Sequence, residues 1–338
     1  MKIVGISDAL MDKWMIEKGL EIIEHANVQV EIIHWSLDTG KTQEDINLLI
    51  ELNGSEAYEV PDYILESVKD ADVIVTQFCP INKKVIDTCS KLQVIGVLRA
   101  GIENINSEYA EAKGISIINT PGRNANAVAD FTIALLLSEC RNVARAHVTM
   151  KAGLWIRDYA NKDRVPDLED KVVGIIGYGQ IGQKVVQRLL GFGVKIIVHD
   201  PYLTEKDVPY PLVSLEELMK QSDFVSIHMR LSKDTENMIN AKMISLMKPT
   251  AYFINTSRAG LVDEEALYEA LKNKRIMGAG LDVFKVEPPP EGYPIVQLDN
   301  VTLASHLSGG TVDAFAGSSK IFSRRFNELL KSKKIILD

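Results

Sequence analysis

The chain has 338 residues, of which 25% are charged and 46% hydrophobic, enough for two ordinary globular domains. Its formal net charge of −8 argues against a nucleic acid or an anionic membrane surface as the main partner. No apolar run is long enough to span a bilayer and no signal peptide is visible, so we expect a soluble, cytoplasmic protein. The three cysteines form no CxxC pair, so we expect reduced thiols and no metal site (Cys79, Cys89 and Cys140).

The first part of the chain alternates short apolar runs with helical stretches. A helix is predicted near residues 11–25, and another between the third and fourth strands. Continuous apolar runs alternating with helices are typical of a parallel sheet covered on both faces. A single long helix is then predicted from Asn124 to about Lys151, with Arg141 and Arg145 on one face. The strands are predicted at 2–7, 28–35, 71–77, 92–98 and 114–122.

The alternation restarts near Leu168. Residues 171–200 are predicted to form a strand, a glycine turn, a helix and a second strand. A closing helix is predicted over about 313–331. The two halves share an α/β pattern but no visible sequence repeat. The later strands are predicted at 224–229, 251–256, 277–284 and 300–305.

The stretch GYGQIG places Gly177, Gly179 and Gly182 in the G-x-G-x-x-G spacing. It follows the apolar strand VVGII and opens a helix, as a dinucleotide-binding turn requires. The glycines permit a tight turn close to a pyrophosphate, whose charge the helix N-terminus stabilises. Asp200 closes the next strand, where a carboxylate would bind the adenosine ribose and repel a 2′-phosphate. We therefore expect NAD rather than NADP; the alternative is a plain glycine turn.

Charged and titratable residues follow the last three predicted strands. Arg258 comes after the first of these strands, and His306 after the third. Asp282 lies near the end of the second strand, and Glu287 lies just beyond it. In open α/β sheets ligands gather at the carboxyl ends of the strands. One cleft could therefore collect a cation, an orienting acid and a base, although each residue taken singly is more often a solvated side chain.

The ordered set GYGQIG, HDPY, INTSRAGLVDEEAL, GLDVFKVEP and ASHLSGG, with NTPGRNANAVADFT before it, resembles the D-isomer-specific 2-hydroxyacid dehydrogenases. This family includes phosphoglycerate dehydrogenase and the glyoxylate, hydroxypyruvate and D-lactate reductases. The resemblance covers almost the whole chain and implies NAD-dependent interconversion of a small 2-oxo acid and a D-2-hydroxy acid. It also implies two doubly wound parallel-sheet α/β domains with the active site in the cleft between them. These are a flavodoxin-like substrate domain (1–120 plus 306–338) and a Rossmann NAD-binding domain (121–305), with a homodimer formed through the long helix after Asn124.

The resemblance also implies roles for individual residues. His306 would be the acid/base, and Glu287 would favour its imidazolium form and fix its tautomer. Arg258 would bind the substrate carboxylate, together with the backbone amides of Ala100 and Gly101. The cofactor contacts it implies are Gly177, Gly179, Gln180, Ile181, Gly182, Asp200, Thr256, Arg258, Asp282 and His306.

Three departures from the family pattern leave the substrate open. Arg99 replaces the first glycine of a common Gly-x-Gly and would add a cation to the substrate loop. Arg230 replaces a proline near the adenosine side, and Thr76 stands where phosphoglycerate dehydrogenases usually carry arginine. Two alternatives therefore remain: D-3-phosphoglycerate dehydrogenase specifically, and a dinucleotide-sensing, corepressor-like interaction protein. A formate dehydrogenase is disfavoured, because those enzymes pair the histidine with glutamine.

Overall fold

A computed structural model describes residues 1–37 and 42–332, apart from the side chain of Glu44. The chain forms two compact units. The first contains Met1–Asn124 together with the chain from Thr311 onwards, and the second contains Ala125–Gly310. Residues 121–124 thus belong to the first unit, and residues 306–310 belong to the second.

Each unit is built on one parallel sheet. The first sheet contains β1 (Lys2–Ser7), β2 (Gln29–His34), β3 (Val73–Thr76), β4 (Val94–Val97) and β5 (Ser116–Asn119). The second contains β6 (Val172–Ile176), β7 (Lys195–His199), β8 (Phe224–Ile227), β9 (Tyr252–Asn255), β10 (Gly278–Leu281) and β11 (Val301–Leu303). The strand orders are β2-β1-β3-β4-β5 and β11-β10-β9-β8-β6-β7. The first is the flavodoxin order, so the prediction of two doubly wound α/β domains is confirmed.

Helices connect the strands and pack on the sheets. In the first unit they are α1 (Lys13–Leu20), α2 (Gln43–Asn53), α3 (Asp62–Val68), α4 (Lys83–Thr88) and α5 (Ser107–Ala112). The second unit contains α6 (Ala125–Cys140), α7 (Val143–Lys151), α8 (Gln180–Leu189), α9 (Leu215–Gln221), α10 (Ala241–Ser245) and α11 (Glu264–Lys272). The closing helix is α12 (Val312–Lys331). In the part of the chain that the structure describes, no helix has the length and apolar character needed to cross a membrane.

The closing helix belongs to the first unit because its aromatic side chains complete that core. Phe322 and Phe326 are fully buried and stack with their ring centroids 5.5 Å apart. Phe322 lies against Gly96 of β4, where an added Cβ would meet its ring at 2.5 Å. Replacing a buried phenylalanine by alanine typically costs about 3–5 kcal/mol, so this helix contributes strongly to the stability of the first unit.

The prediction of one long helix from Asn124 to Lys151 is wrong. The chain forms α6 and α7, separated at Asn142, whose φ of 59° is left-handed. The Asn142 side chain donates to Oδ1 of Asn161 at 2.7 Å, which stabilises the break. Nη2 of Arg145 turns back to the buried Oε2 of Glu139 at 2.6 Å, so Arg141 and Arg145 do not share a helix face.

Candidate active site

The glycine turn lies between β6 and α8, as the spacing predicts. Gly177 has a φ of 91°, which side-chain-bearing residues rarely adopt, and a Cβ there would lie 2.7 Å from the carbonyl oxygen of His228. A Cβ on Gly182 would lie 2.1 Å from the carbonyl oxygen of Gly177, so the helix packs closely on the turn. A Cβ on Gly179 would meet nothing within 4 Å. The space beside the backbone of Gly179 is therefore free, so a bound group can approach the turn there.

The start of α8 and the carboxylate of Asp200 complete this corner. The residue that caps α8, Gly179, has no side chain to accept from the first-turn amides, which leaves them available to an anion. Oδ2 of Asp200 accepts from the backbone N–H of Tyr178 at 2.9 Å, and Oδ1 from that of Tyr202 at 3.0 Å. Each oxygen retains a lone pair for a hydroxyl group. The residues present fit the pyrophosphate and ribose of a dinucleotide.

A histidine beside the glycine turn was not predicted as a site residue. His228 follows β8, and its Nε2 lies 2.9 Å from the hydroxyl of Ser226. Its Nδ1 is buried with no hydrogen-bond partner among the described residues. Burial lowers the pKa of His228 to about 3, so the ring is neutral at physiological pH. The sequence did carry a signal for this residue, because His228 lies near the end of a predicted strand, where ligands gather in open α/β sheets.

The structure brings Glu287 and His306 together. Nδ1 of His306 lies 2.8 Å from Oε2 of Glu287. The other carboxylate oxygen accepts from the backbone N–H of Phe284 at 2.9 Å, which fixes the acid. The two side chains, of His306 and Glu287, are 47% and 36% exposed, so the pair is accessible. Because Nδ1 is engaged, Nε2 is the ring nitrogen left for a reacting group.

The backbone at His306 is held in an uncommon conformation. Its φ is 57°, in the left-handed region that non-glycine residues rarely adopt. The fully buried Asp282, which follows β10, accepts from the backbone N–H groups of Leu307 at 2.8 Å and Ser308 at 3.0 Å. These charge-assisted hydrogen bonds anchor the two residues after His306. Asp282 therefore positions the histidine, a role not predicted from the sequence.

Arg258 lies on the neighbouring loop, after β9. Its side chain is exposed, and its Nη1 donates to the carbonyl oxygen of Ser257 at 2.8 Å. Within residues 1–37 and 42–332, no hydrogen bond or ion pair joins Arg258 to Glu287 or His306. Since β9, β10 and β11 are adjacent, one edge of the sheet carries a cation, a carboxylate and an imidazole.

The remaining expected cofactor residues differ in accessibility. Gln180 is exposed and Ile181 half-buried at the start of α8. Thr256 is buried, and its hydroxyl lies 2.8 Å from that of Thr132 in α6. Among the described residues, no group of three or more His, Cys, Asp or Glu side chains could hold a metal ion.

The expected substrate loop, residues 99–101, follows β4 in the first unit. Nη2 of Arg99 donates to Oε1 of Glu51 at 2.8 Å and to Oε2 of Glu103 at 2.9 Å. The Arg99 side chain is only 11% exposed. Two carboxylates therefore balance its positive charge, which sequence spacing did not predict.

The chain is similar to known proteins over most of its length. The model of the family described as D-isomer specific 2-hydroxyacid dehydrogenase, NAD binding domain, matches residues 133–308. A hydroxypyruvate reductase of Thermotoga maritima is 38% identical over 267 residues, covering 78% of this chain and 86% of the relative. A glyoxylate reductase of Korarchaeum cryptofilum is 36% identical over 300 residues, covering 87% and 84%. A D-3-phosphoglycerate dehydrogenase of Methanocaldococcus jannaschii is 38% identical over 275 residues, covering 80% of this chain but 52% of the relative.

Solved structures share the fold of this chain. The TT0316 protein from Thermus thermophilus superposes with a TM-score of 0.72 at 29% identity, covering 98% of this chain and 97% of that one. The NAD-complexed D-isomer specific 2-hydroxyacid dehydrogenase from Lactobacillus delbrueckii ssp. bulgaricus has a TM-score of 0.77, covering 99% of this chain and 100% of that one. Its 22% identity shows a shared fold alone. With relatives of this similarity and a family model that spans more than half of its length, the chain belongs to the D-isomer specific 2-hydroxyacid dehydrogenases, the NAD-dependent oxidoreductases that its motifs predicted.

Proposed function

We propose that this chain uses NADH to reduce a short 2-oxo acid of the glyoxylate or hydroxypyruvate type. The observation that carries the proposal is the contact between Glu287 and His306, with the exposed cation Arg258 on the same edge of the second sheet. Hydroxypyruvate and glyoxylate are the substrates named for two relatives, and both are small 2-oxo acids.

The three side chains would divide the chemistry between them. The nicotinamide cofactor supplies the hydride when it is bound. His306 donates a proton from Nε2 to the carbonyl oxygen of the substrate, and Glu287 at 2.8 Å stabilises the charged ring and fixes its tautomer. Arg258 binds the substrate carboxylate through its planar guanidinium group. Asp282 keeps His306 in place through the loop that follows it.

The glycine turn would hold the cofactor. The backbone around Gly177, Gly179 and Gly182 accepts the pyrophosphate, with Gln180 and Ile181 at the start of α8 beside it. Asp200 binds the ribose hydroxyls through its free lone pairs. Its charge repels a 2′-phosphate, so the cofactor is NADH. Further contacts are assigned to Thr256, Arg258, Asp282 and His306.

The first unit would serve as the substrate domain and the second as the NAD-binding domain. Their bounds are close to those proposed from the sequence, 1–120 plus 306–338 for the substrate domain and 121–305 for the NAD-binding domain. We assign the substrate carboxylate to the backbone amides of Ala100 and Gly101. Arg99 would lie beside it and contribute little net charge, because Glu51 and Glu103 are bound to its guanidinium group.

A phosphorylated substrate is not favoured. Thr76, where phosphoglycerate dehydrogenases usually carry arginine, is fully buried, and its hydroxyl donates to the carbonyl oxygen of Cys79 at 3.3 Å. This position therefore offers no cation to a phosphate. The phosphoglycerate dehydrogenase relative is also matched over only about half of its length.

We also propose a cytoplasmic homodimer that forms through α6, α7 and the segment after them. Val148 and Met150 of α7 are 65% and 53% exposed, and Trp155 is 80% exposed. Apolar side chains clustered in this way usually mark an interface. Light scattering should give twice the chain mass, and Trp155→Ser should weaken the association.

A panel of 2-oxo acids tests the activity. NADH oxidation should be followed with glyoxylate, hydroxypyruvate, pyruvate and phosphohydroxypyruvate, and repeated with NADPH. We expect turnover with NADH and with the first two acids. NADH binding without turnover of any 2-oxo acid would contradict the proposal and favour the corepressor-like alternative.

A further inference from the structure

Polar atoms without partners are buried at the carboxyl edge of the first unit's sheet. Asp8 is 1% exposed, and Gln77 and Asn104 are 0% exposed. A buried polar atom without a hydrogen bond bears its full desolvation cost, so such a cluster marks a place where a polar group is held. The buried atoms with no partner among the described residues include Oδ2 of Asp8, Oε1 and Nε2 of Gln77, Oδ1 of Asn104 and Nη1 of Arg123.

Asp8 and Gln77 lie at the switch point of this sheet. They follow β1 and β3, which are neighbours, and Ile6 of β1 is paired with Thr76 of β3. In a sheet of order β2-β1-β3-β4-β5, the connections leave these two strands in opposite directions and open a crevice between their carboxyl ends. Ligands of such folds bind in this crevice. Asn104 borders it, because its Nδ2 donates to the carbonyl oxygen of Cys79 at 3.2 Å.

The charges of Asp8 and Arg123 interact, yet no hydrogen bond joins these side chains in the part of the chain that the structure describes. Oδ1 of Asp8 already accepts from the backbone N–H groups of Leu10 and Met11, each at 2.9 Å, so Oδ2 is the atom left to the crevice. The guanidinium carbon of Arg123 lies 4.8 Å from the ring centroid of Phe315, which holds this side chain within the first unit.

The free atoms match a hydroxyl group. A hydroxyl oxygen accepts a hydrogen bond from Nη1 of Arg123, and its proton is donated to Oδ2 of Asp8. Gln77 has a free donor and a free acceptor, so it can bind the same group or a neighbouring hydroxyl. A phosphate group suits the crevice poorly, because carboxylates already offset the positive charge of its guanidinium groups. Arg99 forms ion pairs with Glu51 and Glu103. The charge of Arg123 interacts with that of Asp8.

We propose that Asp8, Gln77 and Arg123 form a subsite that binds a hydroxyl group carried by the substrate beyond its 2-oxo carbon. The inference rests on the proposed function, in which Ala100 and Gly101 of the same unit hold the substrate carboxylate. The subsite makes hydroxypyruvate and longer hydroxylated 2-oxo acids better substrates than glyoxylate, which has no hydroxyl to bind.

Gln77→Leu tests the subsite, because it removes both free polar atoms and keeps a side chain of similar size. The quantity measured is the ratio of kcat/KM for hydroxypyruvate to kcat/KM for glyoxylate, with NADH. We expect this ratio to fall about tenfold, the usual effect of losing a hydrogen bond to a bound hydroxyl. The matched control is Gln93→Leu at the amino end of β4, which should leave the ratio at the wild-type value.

Binding without turnover supplies a second measurement. With NADH present, D-glycerate cannot react, and it should raise the melting temperature of the wild type more than glycolate does. Gln77→Leu should abolish this difference. An equal loss for both substrates, or an unchanged ratio, would show that the crevice holds only structural water and would overturn the inference while leaving the proposed function intact. Failure of the wild type to reduce any 2-oxo acid would instead overturn the proposed function, and the melting temperatures would still decide whether the crevice distinguishes D-glycerate from glycolate.

Discussion

Nδ1 of His306 and Oε2 of Glu287 lie 2.8 Å apart, although 19 positions separate the two residues in the chain. The contact forms because Glu287 is fixed by the backbone of Phe284, while Asp282 fixes the two residues after His306. The histidine is thereby oriented before any substrate binds. Such preorganisation is what a general acid needs, since a misplaced proton donor loses much of its effect.

Replacing His306 with alanine should lower kcat for 2-oxo acid reduction by about a hundredfold or more, the usual cost of losing a general acid. NADH affinity, measured by fluorescence titration, should change little. His25→Ala, in the connection between α1 and β2, is the matched control and should behave as wild type. Near-normal turnover in the His306 variant would remove this residue from the mechanism.

Glu287→Gln should lower kcat for 2-oxo acid reduction by about tenfold or more, the usual effect of losing a hydrogen bond to a charged group. An amide cannot orient and stabilise the protonated ring as the carboxylate at 2.8 Å does. The measurement is kcat with NADH, beside Glu291→Gln, an exposed residue of the same loop, as control. A kcat equal to that of the wild type would show that the pair has no part in proton transfer.

Asp200→Asn should narrow the preference for NADH over NADPH. The carboxylate repels a 2′-phosphate by about 1–4 kcal/mol at contact distance, so the ratio of kcat/KM values should shift by about tenfold or more. The asparagine oxygen can still accept from one of the two backbone N–H groups that now bind Asp200. A wild type that already prefers NADPH would show that the ribose assignment is wrong.

Asp8→Asn should change how stability depends on pH. Burial raises the pKa of Asp8 from 3.8 to about 6, so the folded state binds this proton more tightly than the unfolded state does. The contribution of Asp8 to the free energy of unfolding therefore falls as pH rises from about 4 to about 6 and is constant above that, a loss of about 3 kcal/mol. Asparagine does not titrate, so the variant should lack this fall.

Urea unfolding at several pH values between 4 and 7 measures the effect of Asp8. The relevant quantity is the difference in the free energy of unfolding between variant and wild type, because other titrating groups cancel in it. A difference that stays constant over this range would mean that Asp8 is not desolvated as the structure indicates.

The local signals in the sequence determined the two parallel sheets and the glycine turn. Strands such as β3 and β8 are buried on both faces, so their apolar runs are visible without knowledge of their neighbours. The left-handed φ of Gly177 is likewise a local requirement of the turn. Helix α2 was missed although its start carries a readable signal, the capping box formed by Thr42 and Asp45.

Only the tertiary structure decided how the charged residues are partnered. Arg99 reads as a free cation in the sequence, but Glu51, 48 positions away, shares its guanidinium group. The left-handed backbone of His306 depends on Asp282, and the break at Asn142 depends on Asn161. A residue's charge, tautomer or backbone conformation in these places is set by groups that the fold brings within 3 Å. Sequence spacing carries no information about such contacts. Each contact joins residues that are far apart in the chain, and the packing of the unit decides whether they meet.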